Sequence, residues 1–351
     1  MHGTGRGGQQ LPDGPLLAAN PGKQRPGFRG GGLHPHQFAT AGQVLAGATP
    51  RSTGDGSAPG RRLSYARQVP DTGSPAQSEP TPEGAPRPRR VTVMGVGFDP
   101  LTEDEVVRRI VSDTAAGRGG WLSTPNVDIL RQITLSEQWS DLVRGAGLVV
   151  ADGMPIVWAS RLAGTPLPER VAGSSLLVSV SAAAARSGLG VLLLGGRPGS
   201  AEKAARRLRD LFPDLEVGHH CPPMGFESSP PDRSAIDDVV EAFDPAVVFC
   251  GFGFPKQERL MADLHLRFPA SWFLACGGGL DLLAGATRRA PGWAQAMGVE
   301  WVFRLAQEPV RLARRYLVDD LPFALRLLAS SGLNGWGQRR DCREGSDVSL
   351  K

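Results

Sequence analysis

Three times in succession the chain runs from a short apolar stretch into glycines and then into helical spacing. Val191-Leu192-Leu193-Leu194 leads into Gly195-Gly196-Arg197-Pro198-Gly199, with a helix expected from about Ala201 to Phe212. Ala246-Val247-Val248-Phe249-Cys250 leads into Gly251-Phe252-Gly253 and then Pro255-Lys256-Gln257-Glu258-Arg259, and Trp272-Phe273-Leu274-Ala275-Cys276 leads into Gly277-Gly278-Gly279. Continuous apolar runs, rather than alternating ones, suit strands covered on both faces, which is the habit of parallel sheets. The repeat therefore predicts an α/β fold, a Rossmann-like parallel sheet flanked by helices, with its glycine turns along one edge. That edge is where open sheets of this kind bind ligands.

Upstream, Leu148-Val149-Val150-Ala151-Asp152-Gly153-Met154-Pro155 places a carboxylate at the carboxyl end of another strand. Asp152 there is either a catalytic base or the cap of the next helix. Val91 to Val96 reads as a first strand, and Thr102 opens a helix to about Ala115 with Glu105 at the capping-box position. Trp121 to Thr124 reads as a strand ending at Pro125-Asn126, with helical spacing from Val127 to Ile133. Thr124 and Asn126 thus sit at a strand-to-helix turn, where Asn126 suits a helix cap as well as a ligand. Arg170 precedes Gly173-Ser174-Ser175 and a helix from Leu176 to Ser187. A guanidinium beside free backbone N–H groups suits a diphosphate, and a surface ion pair accounts for one arginine equally well.

Composition changes abruptly at Arg90. Residues 1–90 are rich in Gly, Pro, Ser and Gln and poor in bulky aliphatics, which predicts disorder. They hold eleven Lys/Arg against five Asp/Glu, more than the whole net charge of +4, so the remainder is slightly acidic. No basic, aromatic-interleaved stripe marks a nucleic-acid binder. Those 90 residues suit a regulatory or tethering segment, or an over-extended start of translation. Cys221, Cys250, Cys276 and Cys342 show no metal-ligand or disulfide spacing, which fits a reducing cytoplasm. His219-His220-Cys221 reads as a strand end. No run approaches the roughly 18 apolar residues of a membrane span, and no signal-peptide core is present.

From Gly298 to Ser331 the texture is different again. Arg311, Arg314 and Arg315 have the spacing of one helical face, and Leu321, Phe323, Leu325, Leu327 and Leu328 make a segment apolar enough to lie on a bilayer. A terminal helix packed on the core with a solvated arginine face explains the same pattern.

Taken together, the motifs resemble the WecG/TagA/CpsF family of bacterial glycosyltransferases. The matching pieces are Thr124-Pro125-Asn126, Ala151 to Pro155, Glu169 to Gly173, Gly195-Gly196, Gly251 to Glu258, and Gly277 to Asp281. Gly285, Arg289-Ala290-Pro291, Glu300-Trp301, Arg304 and Glu308-Pro309 to Arg315-Tyr316 complete the set. The resemblance spans about Val91 to Phe323. It implies an inverting, metal-independent transferase that moves N-acetylmannosamine, its uronic acid or glucose from a UDP-sugar to an undecaprenyl-diphosphate-linked saccharide. By the same resemblance Asp152 is the general base, with Thr124 grouped beside it. Asn126, Arg170, Gly195, Gly196, Gly253, Gln257, Glu258 and Gly278 bind substrate, and Arg304, Arg311 and Arg314 hold the lipid diphosphate. No cofactor beyond the donor is implied, and no metal-binding Asp-x-Asp follows a strand: Asp237-Asp238 falls in a helix and Asp319-Asp320 near the chain end.

The expected organisation is a tail over 1–90, an α/β core over 91–298, a helical membrane-associating appendage over 299–335 and a flexible tail over 336–351. The expected setting is the cytoplasm, peripheral to the inner face of the plasma membrane, in cell-surface polysaccharide synthesis; a homo-oligomer is compatible with the sequence. Two rival readings use the same features. A nucleotide-binding oxidoreductase fits the sheet but lacks the G-x-G-x-x-G spacing and the acidic ribose partner. A non-catalytic lipid-binding protein would rest on the arginine helix and apolar tail alone.

Overall fold

A computed structural model describes residues 89–287, 290, 291, 294, 300–307 and 309–333, except the side chain of Arg311. Residues 1–88 and 336–351, for which tails were expected, lie outside the described residues, as do Arg289 and Glu308.

The Val91–Val96 run does not form a single strand. It folds into an antiparallel hairpin of β1 (Val91–Val93) and β2 (Val96–Phe98), with Val93 opposite Val96. The chain reverses through Met94 and Gly95, both at positive φ (+50° and +81°). Glycine takes that conformation without steric penalty, so Gly95 breaks a run that is otherwise strand-forming.

The six later strands make one parallel sheet: β3 (Gly120–Ser123), β4 (Leu148–Val149), β5 (Val191–Gly195), β6 (Val217–His220), β7 (Val247–Gly251) and β8 (Trp272–Ala275). Their order is β4-β3-β8-β7-β5-β6. The helices fall on both faces, as continuous apolar strands require. Val191, Leu193, Val247, Phe249, Trp272 and Leu274 bury toward the helices Glu103–Ala115, Gly173–Ser187 and Ser200–Leu211. Leu192, Leu194, Val248, Cys250 and Phe273 alternate to the other face, against Val127–Thr134, Met154–Leu162, Pro230–Phe243 and Lys256–Arg267. This is the two-residue period of a strand read on both sides.

Local signals set the helix starts. Thr102 and Glu105 form the expected capping box. The helix after Arg170 begins at Gly173, three residues earlier than its apolar spacing suggested. Its first glycine packs so close to β8 that a Cβ there would lie 2.3 Å from the Ala275 carbonyl oxygen. The edge of β4 is closed by the residue after the hairpin: the Asp99 N–H donates to the Val149 carbonyl at 2.7 Å, and the Asp99 carboxylate accepts from the Val149 N–H at 2.8 Å. Arg90 pairs with the same carboxylate at 3.1 Å.

Candidate active site

Because all six strands are parallel, their carboxyl ends share one edge. The order β4-β3-β8-β7-β5 lines up Asp152, Thr124, Gly277-Gly278, Gly251-Gly253 and Gly195-Gly196 along it. Asp152 follows β4, its N–H donating to the Pro125 carbonyl at 3.0 Å. The capping alternative fails, because the next helix has Gly153 at its N-cap and no side chain bonded there. Nor is Asp152 sealed in: 27% of its side chain meets solvent.

Four charged groups converge at this point. Arg170 Nη1 lies 3.7 Å from Asp152 Oδ1 and 2.9 Å from Glu300 Oε2. The other oxygen of Glu300 accepts from Arg304 Nη2 at 3.0 Å and from Arg304 Nε at 3.2 Å. Loss of solvation pushes the Asp152 carboxyl above its ordinary pKa, against the pull of Arg170 and Arg304 and a hydrogen bond from the Gly173 N–H; the charge of Glu300 pushes the same way as desolvation. Desolvation also works to raise Glu300, but Arg304 and Arg170 outweigh it and hold that carboxyl below the usual range. Arg304 is desolvated too, and its pKa is raised by Glu300, Asp152 and Tyr316. A carboxylate whose pKa is raised by lost solvation and that stands beside cations is suited to proton transfer next to an anionic leaving group.

Glu300 was not among the residues singled out for the site. It reaches Arg170 across 130 positions, from the first turn of the helix Glu300–Gln307. The available signal was the Glu300 to Arg304 spacing of i,i+4, which marks an ion pair on one helical face.

The glycine turns form the rest of the edge. Gly195 and Gly196 have φ of +94° and +79°, and a Cβ on Gly195 would strike the Phe252 ring at 2.7 Å. Among the described residues no atom lies within 4 Å of a Cβ built on Gly253 or Gly278, so the backbone at these two is open on that side. Asn126 caps the helix Val127–Thr134, its Oδ1 accepting from the Ile129 N–H at 3.0 Å. That commits the oxygen and leaves the amide nitrogen as the atom that can donate to a bound molecule. Thr124 is buried beneath the edge, its Oγ1 close to Gly173.

Two expected ligand contacts lie deeper than their sequence context suggests. Gln257 is buried, with its side-chain oxygen accepting from the N–H groups of Gly253 (3.1 Å) and Gly277 (3.3 Å). Its amide nitrogen donates to Glu258 Oε1 at 3.1 Å, which also accepts from Ser123 Oγ at 3.4 Å. Glu258 has no exposed surface and its Oε2 has no partner among the described residues; burial raises its pKa to about 7. Glu258 therefore underlies the turns rather than lining them, a correction to its expected place; the helix packs its first turn against β3 instead of presenting it to solvent.

Arg314 and Arg315 do not share one face, and the side chain of Arg311 lies outside the described residues. The helix Pro309–Ala313 widens into a π-helix over Arg314–Asp320, which shifts the angular register on which the i, i+3, i+4 spacing depended. Arg314 stays exposed, whereas Arg315 turns to Asp128 at 2.8 Å. Arg131 joins Asp128 at 2.9 Å and Asp320 at 3.5 Å, so the four charges pin the terminal segment to the core helix Val127–Thr134. Among the described residues no three His, Cys, Asp or Glu side chains gather as metal ligands would.

The model of the glycosyl transferase WecG/TagA/CpsF family matches residues 91–335. The chain belongs to this family. Two of its relatives are an N-acetylglucosaminyldiphosphoundecaprenol N-acetyl-β-D-mannosaminyltransferase from Staphylococcus aureus strain MRSA252 and one of the same name from strain NCTC 8325. Each is 29% identical over 227 residues, covering 64% of this chain and 87% of the relative. As a WecG/TagA/CpsF member the protein is a glycosyltransferase, which sets aside the oxidoreductase and non-catalytic readings. The family match runs from the hairpin through the whole sheet and into the terminal helices, so the four-charge cluster at Asp152 lies wholly inside it.

Proposed function

We propose that this glycosyltransferase moves an N-acetylmannosamine-type sugar from a UDP-sugar to an undecaprenyl-diphosphate-linked saccharide, with inversion and without a metal. The observation that carries the reading is the partly open Asp152 carboxylate beside Arg170, Glu300 and Arg304 at the sheet edge. The activity for which the Staphylococcus aureus relatives are named supports the sugar and the acceptor.

The acceptor hydroxyl oxygen attacks the anomeric carbon and forms the new glycosidic bond as its proton passes to Asp152. The bond from that carbon to the diphosphate breaks, and UDP departs with the electron pair. Charge developing on the diphosphate is met by Arg170, and Arg304 reaches the same recess from the terminal segment. Asn126 donates its amide nitrogen to the bound sugar, and Thr124 supports the edge beneath it. Among the described residues no helix is long and apolar enough to cross a membrane. Val310, Leu317, Val318, Leu321 and Leu325 are exposed beside Arg314, and this face rests on the bilayer in which the acceptor is anchored.

UDP release is measured with UDP-N-acetylmannosamine, its uronic acid and UDP-glucose against a lipid-linked N-acetylglucosamine acceptor. Asp152→Asn loses at least about a hundredfold in turnover, the ordinary weight of a general base. Near-normal turnover of that variant removes Asp152 from the mechanism, and loss of activity in a chelator removes the metal-free reading.

A further inference from the structure

Asp152 faces three charged side chains: Arg170, Arg304 and Glu300. Left as a pair, a carboxylate and a guanidinium close to a bidentate contact of roughly 2.8 Å, which would occupy the lone pairs a base needs. The observed arrangement differs. Arg170 stands 3.7 Å from Asp152 but 2.9 Å from Glu300, so its close contact is with the second carboxylate. Glu300 is itself held by Arg304 through its other oxygen, which fixes where it can draw Arg170.

We propose that Glu300 is a positioning residue, which holds the Arg170 guanidinium off Asp152 so that the base stays free to take a proton while the arginine remains at the diphosphate. This rests on the transferase reading above for its consequence in turnover, but not for its geometry. Glu300 belongs to the terminal segment and Arg170 to the core, so the contact also makes the state of the base depend on that segment being docked. The Glu300 charge also acts on Asp152 directly, so a purely structural ion pair would lower the midpoint in Glu300→Gln but leave it at the wild-type value in Glu300→Asp, which keeps the charge.

The deciding measurement is the titration midpoint of the Asp152 carboxyl in the full chain, followed by NMR of carboxyl-labelled aspartate and assigned by its loss in Asp152→Asn. Glu300→Gln keeps the shape but removes the charge, and Glu300 lies outside both hydrophobic clusters, so the fold survives. With Arg170 released, the midpoint falls by about half a pH unit or more. In transfer assays the same variant loses roughly tenfold in kcat, with the acid limb of the pH profile moved to lower pH and the donor KM changed less. Glu300→Asp retains the anion with one methylene less, and its midpoint lies between those of the wild type and Glu300→Gln. A midpoint unchanged or raised in Glu300→Gln overturns the proposal, as does a Glu300→Asp midpoint at or above the wild type. The titration needs no substrate, so a wild type that transfers none of the three sugars counts against the proposed function while the arginine sharing stands or falls on its midpoint.

Discussion

Among single residues, the contrast between Asp152 and Glu258 shows what a carboxylate's neighbours decide. Asp152 was legible from sequence, because a carboxylate between an apolar run and a glycine has to emerge at a strand end. Glu258 was not: a Lys-Gln-Glu triplet after proline looks like a solvated helix start, and only Ser123, 135 positions away, reveals that it is enclosed. Its buried acid makes stability depend on pH. With a native pKa of about 7 against an unfolded 4.5, the folded state holds its proton longer, so stability is highest below pH 4.5, declines as the pH rises to 7 and is level beyond. The span corresponds to about 3 kcal/mol at most. Glu258→Gln keeps the contact to Gln257 without the proton, so its melting temperature matches the wild type near pH 5 and exceeds it near pH 8. Thermal melts of both proteins across that range test this; parallel curves would mean that Glu258 does not titrate within it.

Secondary-structure elements were read well where their periods were clean. The core strands and their following helices fell where the continuous apolar runs and the turns after them put them, whereas the terminal segment divided its residues in a way no periodicity contains. Leu327 is fully buried against the core while Leu325, two positions earlier, is exposed. The packed-helix reading therefore holds for Leu327, while Leu325 presents the apolar surface that the proposed bilayer contact requires. Arg315 was expected beside Arg314 on a free face, and it is diverted because the π-helical turn points it at Asp128. Leu327→Ala leaves a cavity costing about 2–5 kcal/mol locally. Hydrogen exchange over 309–333 should then quicken while β5, β7 and β8 keep their protection, and UDP binding measured by calorimetry should persist.

For the molecule as a whole, the fold class was the most legible property, because three strand–glycine–helix units leave few other arrangements. The candidate site was half legible: the placing of its carboxylate and glycines at the sheet edge comes from local patterns, whereas the Arg170–Glu300–Arg304 chain exists only once the terminal helix folds back. The proposed association with the bilayer is tested at this scale. Arg314→Glu combined with Val318→Asp should lower co-sedimentation with anionic vesicles several-fold, with the melting temperature unchanged because both positions are exposed. Equal binding of the variant would place the contact elsewhere. Asp99 adds a constraint of a different kind. By taking both ladder groups of Val149 it stops strand pairing at β4, so two copies of the chain have no way to zip together along that rim. The flank next to Asp152 is thereby kept clear of strand pairing, which on the proposed reading leaves the lipid-linked acceptor a way in from outside the sheet.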